Sequence, residues 1–234
     1  MEGNNAGVTG SKNEIRKHIL RVRDGIRPED KVRFDAGIRE RVLKLSVYRE
    51  AQVILAYASY RSEVDTMLLI RQALEDGKEV FVPKVDGDEM EFWQIRSLAE
   101  LESGYRGIPE PVQRKSLPEW ALHKHLCPHC TERLCQGGQE NRSDGDDEGQ
   151  AVIGAMMWLP GVAFDRERHR IGYGRGFYDR YLSRLSDAGK QTRFKDSVLR
   201  LTTAALAYSC QIVQKIPYEP HDIRPDLLIT ETEI

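Results

Sequence analysis

No stretch of this 234-residue sequence approaches the roughly 20 consecutive apolar residues needed to cross a bilayer, which argues against a membrane span. The opening MEGNNAGVTGSK is polar and glycine-rich with no apolar h-region, so residues 1–11 read as a flexible leader and not as a secretory signal. Cysteine is scarce: there are four, three of them at Cys127, Cys130 and Cys135, too few for a disulfide framework in a chain this long. Reduced thiols, with or without a metal, are the natural reading. An excess of one charge is also missing. Thirty-five Lys and Arg stand against 37 Asp and Glu for a formal net charge of -2, so neither a nucleic-acid nor a membrane-surface partner is announced. A cytoplasmic protein with small, soluble partners is expected.

The generic nucleotide motifs are absent as well. Gly172, Gly174 and Gly176 alternate, but Phe177 stands where G-x-G-x-x-G requires glycine, and no G-x-x-x-x-G-K-S/T occurs. No internal repeat is visible.

What is present is an alternation of helical and extended patterns. Ile15, Ile19, Leu20 and Val22 recur at near-helical spacing among Lys and Arg from Lys12 to about Asp24. A second helix is expected from Pro28 to about Leu45. The runs QVILAY (52–57) and EVFV (79–82) flank TMLLIRQALEDG, which Gly77 ends, and this reads as a β-α-β unit with a right-handed crossover. Further strands are expected at Glu91–Ile95, Val152–Leu159, near Thr203–Ala207 and at Asp226–Thr230, with a helix over Phe177–Leu185 and a glycine-rich connection over Arg170–Gly176. Together they predict a three-layer α/β/α sandwich around a mostly parallel, Rossmann-like sheet, one domain over residues 12–234. The polar, acidic stretch within residues 123–150 has too few apolar residues to pack itself and reads as an inserted surface loop. It carries a C-x-x-C, a third cysteine and nearby histidines, so Cys127, Cys130, Cys135 and His123 are a candidate structural zinc set, with a metal-free loop as the alternative.

The glycine-rich connection invites phosphate. Glycines let backbone N–H groups approach an anion, and the helix that follows points its positive end at it. Arg170 and Arg175 flank the loop, and Asp179, one turn into the helix, can hold a magnesium ion against a triphosphate. A glycine-rich turn beside a helix start is the plain alternative.

The wider text is more specific. WLPGVAFDRERHRIGYGRGFYDRYL, Trp158 to Leu182, closely resembles the signature of the 5-formyltetrahydrofolate cyclo-ligase family, a Pro-Gly-x-x-Phe-Asp element followed by R-L-G-x-G-x-G-x-Y-D, with Ile171 in place of leucine. Lys12 and Arg16 match its K-x-x-x-R, Glu63 its E-x-x-T, Gly104–Pro111 its G-I-P-E-P segment, and Asp222 the acid of its I-P-x-E-x-H-D run, so elements match in order from Lys12 to Thr230. The resemblance implies an enzyme that uses ATP and Mg²⁺ to turn 5-formyltetrahydrofolate into 5,10-methenyltetrahydrofolate, as a monomer or weak dimer. It implies that Lys12, Arg16 and the loop residues Arg170, Ile171, Gly172, Tyr173, Gly174, Arg175, Gly176, Phe177 and Tyr178 hold the nucleotide, with Arg170, Arg175 and Tyr178 nearest the chemistry. Asp179 and Asp222 would hold the metal. Ala58, Glu63, Trp93, Tyr105, Ile108, Pro109, Glu110, Tyr173 and Phe177 would line the folate pocket, with Glu63 facing the pterin donors. A paralogue acting on another, thiamine-related small molecule, or an RNA-binding relative, would keep the fold; the second would require a basic, aromatic-studded surface.

Overall fold

The structure, a computed structural model, describes residues 10–112, 151–187, 197–219 and 222–234. Cys127, Cys130, Cys135 and His123, and with them the expected zinc set, lie outside the described residues.

Helix α1 (Lys12–Asp24) starts at a reciprocal cap in which Ser11 accepts from the Glu14 N–H while the Glu14 carboxylate accepts from the Ser11 N–H, and it ends at Gly25. Helix α2 (Pro28–Lys44) has proline in its first turn, where a missing N–H costs nothing, and the short α3 (Ser46–Glu50) follows directly. Strand β1 (Val53–Leu55), helix α4 (Met67–Glu75) and strand β2 (Glu79–Asp86) form the expected β-α-β unit, with β1 and β2 parallel and Gly77 left-handed (φ +74) after the helix.

β2 outruns the expected EVFV and passes through Pro83. Proline is tolerated because β1 pairs only with Glu79–Phe81, so from Pro83 onward β2 is paired by β3 (Glu89–Ile95) alone. The β2–β3 pair is an antiparallel hairpin turned at Gly87 (φ +60) and Asp88, a connection that periodicity alone did not reveal. A small antiparallel pair, β4 (Leu101–Ser103) and β5 (Pro109–Pro111), follows.

Strand β6 (Ala151–Leu159) is apolar throughout, as a strand covered on both faces must be, and pairs in parallel with both β1 and β9 (Ser197–Leu206). Between them come the two-residue strands β7 (Ala163–Phe164) and β8 (Arg170–Ile171), paired antiparallel, and helix α5 (Phe177–Asp187). The glycine-rich connection therefore begins on a strand at Arg170, one step earlier in order than a plain loop. Strand β10 (Leu227–Ile229) closes the far edge beside β9. The main sheet runs β10-β9-β6-β1-β2-β3, parallel except at β3.

Alternation along β1 sends side chains to two cores. Ile54 packs with α2, α3 and α4 through Ile38, Val42, Tyr48, Leu69 and Ile70; Val53 and Leu55 pack with Tyr181, Leu182 and Leu185 of α5. Helices on both faces give the three layers that the alternation of elements predicts. α1 belongs to neither layer. Its Ile15 and Ile19 pack with Val162, Ala163, Ile171, Val213 and Ile216, so the helix lies against the β7–β8 hairpin.

Candidate active site

β1 lies between β2 and β6, and the chain leaves β1 toward β2 but returns on the other side as β6. At such a reversal the loops from the carboxyl ends of the two central strands part and leave a crevice. The loop after β1 carries Glu63; the segment after β6 carries the hairpin and the glycines.

Pro160 and Gly161 end β6. A Cβ on Gly161 would stand 2.3 Å from Cζ of Phe164, so the ring folds back on bare backbone and closes the turn into β7. Asp165 then fixes the hairpin: Oδ1 accepts from the His169 N–H at 2.9 Å, and Oδ2 lies 2.9 Å from His169 Nδ1 and accepts from the Ile216 N–H at 3.0 Å. The Pro-Gly-x-x-Phe-Asp element is thus a folding device that delivers Arg170.

Arg170 is buried. Nη1 donates to the Pro160 carbonyl at 3.0 Å and Nη2 to Asp179 Oδ1 at 2.7 Å, while its buried Nε has no partner. Gly172, Gly174 (φ +95) and Gly176 (φ +63) follow, and Cβ atoms at Gly172 and Gly174 would meet the guanidinium groups of Arg170 and Arg16. From α1, Arg16 donates through Nε to the Gly172 carbonyl at 2.8 Å and also bonds Asn13, while Lys12 Nζ lies 2.5 Å from Asp222 Oδ2. Asp179 Oδ1 accepts a second bond, from the Ile223 N–H at 3.3 Å, which brings the Asp222–Ile223 segment against the first turn of α5. Lys12, Arg16, Arg170, Asp179 and Asp222, expected from distant parts of the chain, therefore converge around the glycines. Arg175 sits at the outer margin, 3.2 Å from Asp88 of the β2–β3 turn, with Arg180 donating to the Asp88 carbonyl beside it.

On the other side of the crevice, Glu63 is nearly buried. Oε1 accepts from the Tyr173 hydroxyl at 2.5 Å and Oε2 from the Tyr60 N–H at 2.8 Å. Helix capping, the plain role for S-E-V-D, falls to Asp65, whose Oδ1 accepts from the Met67 N–H at 2.8 Å. Burial pushes the Glu63 carboxyl up; the Tyr173 hydroxyl, the Tyr60 N–H, Arg23 and Lys31 oppose it. Burial, then the Glu63 charge, raises the Tyr173 phenol well above its usual value, so the shared proton stays on tyrosine. The Tyr173 ring is half exposed although its hydroxyl is enclosed. Tyr178 is raised by burial and Glu63 too, and its ring meets Phe92 edge-on at 6.4 Å. Thr66 anchors the loop by donating to the Tyr57 carbonyl at 2.6 Å, next to buried Ala58.

Tyr105 meets Phe177 edge-on at 6.2 Å, which joins the β4–β5 segment to the glycine loop. Glu110 is held 3.1 Å from Lys84, packed so close to Gly104 that a Cβ there would clash with its carboxylate. Lys84 also lies over Trp93, 5.8 Å from the ring centroid. Glu110 and Trp93 thus share a cation on the β2–β3 side, with Ile108 and Pro109 in the segment between Tyr105 and Glu110. Arg23, buried between the two halves of the crevice, is a residue that sequence reading passed over.

Among the described residues no group of three or more His, Cys, Asp or Glu could hold a metal by itself. Two carboxylates beside a glycine cradle fit a cation that takes most of its ligands from phosphate and water.

A profile of the 5-formyltetrahydrofolate cyclo-ligase family matches residues 8–126 and 138–231. Mouse 5-formyltetrahydrofolate cyclo-ligase is 23% identical over 227 residues, 96% of this chain and 95% of its own length. The probable 5-formyltetrahydrofolate cyclo-ligase of Schizosaccharomyces pombe is 28% identical over 203 residues, covering 85% of this chain and 84% of its own. The NMR structure of Aquifex aeolicus 5,10-methenyltetrahydrofolate synthetase is similar with a TM-score of 0.67 at 26% identity, covering 95% of this chain and 90% of that one. With matches on both sides of residues 127–137 and the same fold in a solved relative, the chain belongs to the 5-formyltetrahydrofolate cyclo-ligase family.

Proposed function

We propose that the chain converts 5-formyltetrahydrofolate and ATP to 5,10-methenyltetrahydrofolate, ADP and phosphate. The observation that carries this reading beyond the resemblance is the 2.8 Å bond from Arg16 to the Gly172 carbonyl, which seats a basic helix on a glycine loop from the other end of the chain. A formamide oxygen leaves poorly, so ring closure needs it activated. The formyl oxygen attacks the γ-phosphorus, the bond from that phosphorus to the β–γ bridging oxygen breaks, and ADP departs. N10 then attacks the formyl carbon, phosphate leaves with its C–O bond, and the N10 proton is lost.

Phosphoryl transfer asks the protein mainly for position and charge. Arg170 suits this: its guanidinium is pinned by the Pro160 carbonyl and Asp179, which fixes a positive charge beside the glycines. Lys12, Arg16 and Arg175 add charge, and the N–H groups of Gly172, Tyr173, Gly174 and Gly176 can approach oxygens without a Cβ in the way. Asp179 and Asp222 are the residues that would hold Mg²⁺, which when bound neutralises charge on the triphosphate. Glu63, its oxygens 2.5 and 2.8 Å from their present donors, can accept the paired donors of an aminopyrimidine instead. Tyr105 and Phe177, whose rings meet, and Tyr173 would offer ring faces to the folate, and Tyr178 packs on Phe92. These roles rest on proximity and chemistry. The test is the near-ultraviolet absorbance of the methenyl product, followed with 5-formyltetrahydrofolate in the presence and absence of MgATP. A MgATP-dependent rise is expected; without one the reading gives way to a relative acting on another small molecule.

A further inference from the structure

Arg23 lies about three helical turns beyond Lys12, and so in the same sector of α1 as Lys12 and Arg16. It is 3% exposed. Nε donates to Ser62 Oγ at 3.0 Å, Nη1 to the Gly161 carbonyl at 3.4 Å, and the guanidinium carbon stands 5.8 Å from the centroid of the Tyr173 ring. These three contacts belong to three separate segments: the loop after β1, the end of β6 and the glycine loop.

A guanidinium is expensive to bury, and here its direct hydrogen bonds go to a carbonyl and to a hydroxyl that in turn donates to the Asp24 carboxylate. A strap that merely closed the fold could be made with apolar side chains. A planar, rigid fork gives something else, which is fixed angles between the groups it holds. Ser62 immediately precedes Glu63, and Tyr173 donates to Glu63, so Arg23 touches the chain beside that carboxylate and one of its two donors.

We propose that Arg23 is a positioning residue for substrate recognition, fixing Ser62–Glu63 and the Tyr173 ring relative to each other so that the Glu63 carboxylate is presented in one orientation. This rests on the reading of Glu63 as the carboxylate that meets the folate. The cation also acts on Glu63 through space, against burial. The other groups that face Glu63 are Lys31 of α2, itself paired with Asp35, Tyr57 just after β1, Tyr173 of the glycine loop, Tyr178 of α5 and Tyr208 after β9, whose hydroxyl donates to the Glu63 carbonyl. None of these replaces Arg23 at Ser62.

The experiment has two arms. In the first, the ligand-free protein is labelled with ¹³C at glutamate carboxyls, the Glu63 signal is identified by its loss in Glu63→Gln, and its titration is followed by NMR. Arg23→Gln is expected to move the midpoint to higher pH, while Arg23→Lys, which keeps the charge, leaves it near wild type. In the second arm, steady-state kinetics of Arg23→Gln are expected to show KM for 5-formyltetrahydrofolate raised about tenfold, the loss of roughly one bond to a charged group, with KM for MgATP within about twofold. Ser62→Ala, which removes the Nε acceptor together with the donor to Asp24, should raise the same KM about threefold. An unshifted Glu63 titration in Arg23→Gln, or equal changes in both KM values, overturns the proposal. Should Arg23→Gln fail to fold, wild-type KM values in Ser62→Ala and Arg23→Lys overturn it equally. The NMR arm needs no substrate, so an inactive wild type would refute the cyclo-ligase reading while the titration still decides whether Arg23 sets Glu63.

Discussion

Asp179 serves two partners at once. Its Oδ1 accepts from Arg170 at 2.7 Å and from the Ile223 N–H at 3.3 Å, so truncation to alanine would strip a buried guanidinium as well as remove a charge. Asp179→Asn separates the two effects, because an amide oxygen can keep both bonds while losing the negative charge a cation requires. MgATP-dependent turnover should fall about 100-fold or more, with circular dichroism and melting close to wild type; wild-type turnover would remove Asp179 from the metal role. At Glu63 the sign of the pH dependence follows from burial. A carboxyl whose folded pKa is raised contributes stability that is complete below its unfolded pKa and is lost as pH rises through the folded value. Glu63→Gln never ionises, so thermal melts should show it at least as stable as wild type at pH 7, with the difference vanishing toward pH 4, while its KM for 5-formyltetrahydrofolate rises. A wild type that is the more stable at pH 7 and less so in acid would mean that bonds to the ionised form, not burial, dominate. Glu63 was identifiable by resemblance, but its bond to Tyr173 was not, since 110 residues separate the two.

Among the elements, the turn out of β6 is the one on which the site hangs. With a Cβ at Gly161 only 2.3 Å from Cζ of Phe164, Gly161→Ala must displace a fully buried ring that no flexible neighbour can absorb. Overpacking of this kind costs about 1–3 kcal/mol, or about 3–10 °C of melting temperature for a chain of this size, measurable by calorimetry. Phe164→Leu should restore part of that loss in the double variant. An unchanged melt in Gly161→Ala would mean that the ring does not pack on the turn. The boundaries of α1, α2 and α4 were legible from periodicity, Pro28 and the terminating Gly77, because those signals are local. The β2–β3 hairpin and the length of β2 were less so. Proline normally ends a strand, and here it does not because β1 has already ended. The strand character of Arg170–Ile171 was hidden too, since two residues carry no period and their pairing with Ala163–Phe164 is tertiary.

The whole molecule exposes few large apolar side chains among its described residues. Val32, Leu68, Val112, Tyr173, Tyr218 and Ile234 stand on separate segments of the chain. The monomer or weak dimer that the resemblance implies is checked by sedimentation at about 10 μM: a mass at or near that of one chain, 26.8 kDa, is expected, and a full twofold mass would overturn it. No helix among the described residues is long and apolar enough to cross a membrane.

The sequence alone determined the fold class, through alternating strand and helix periods, and marked the glycine loop proposed to handle phosphate, because a glycine-rich loop running into a helix is a local pattern with a local chemistry. The tertiary structure decided how the halves meet. Whether Arg23 faces solvent or the crevice, whether Glu63 caps a helix or accepts from Tyr173, and whether Glu110 is held by Lys84 all depend on which strands lie side by side. Those pairings are set by burying both faces of β6 and β1, a condition on the packed sheet as a whole that no stretch of sequence states by itself.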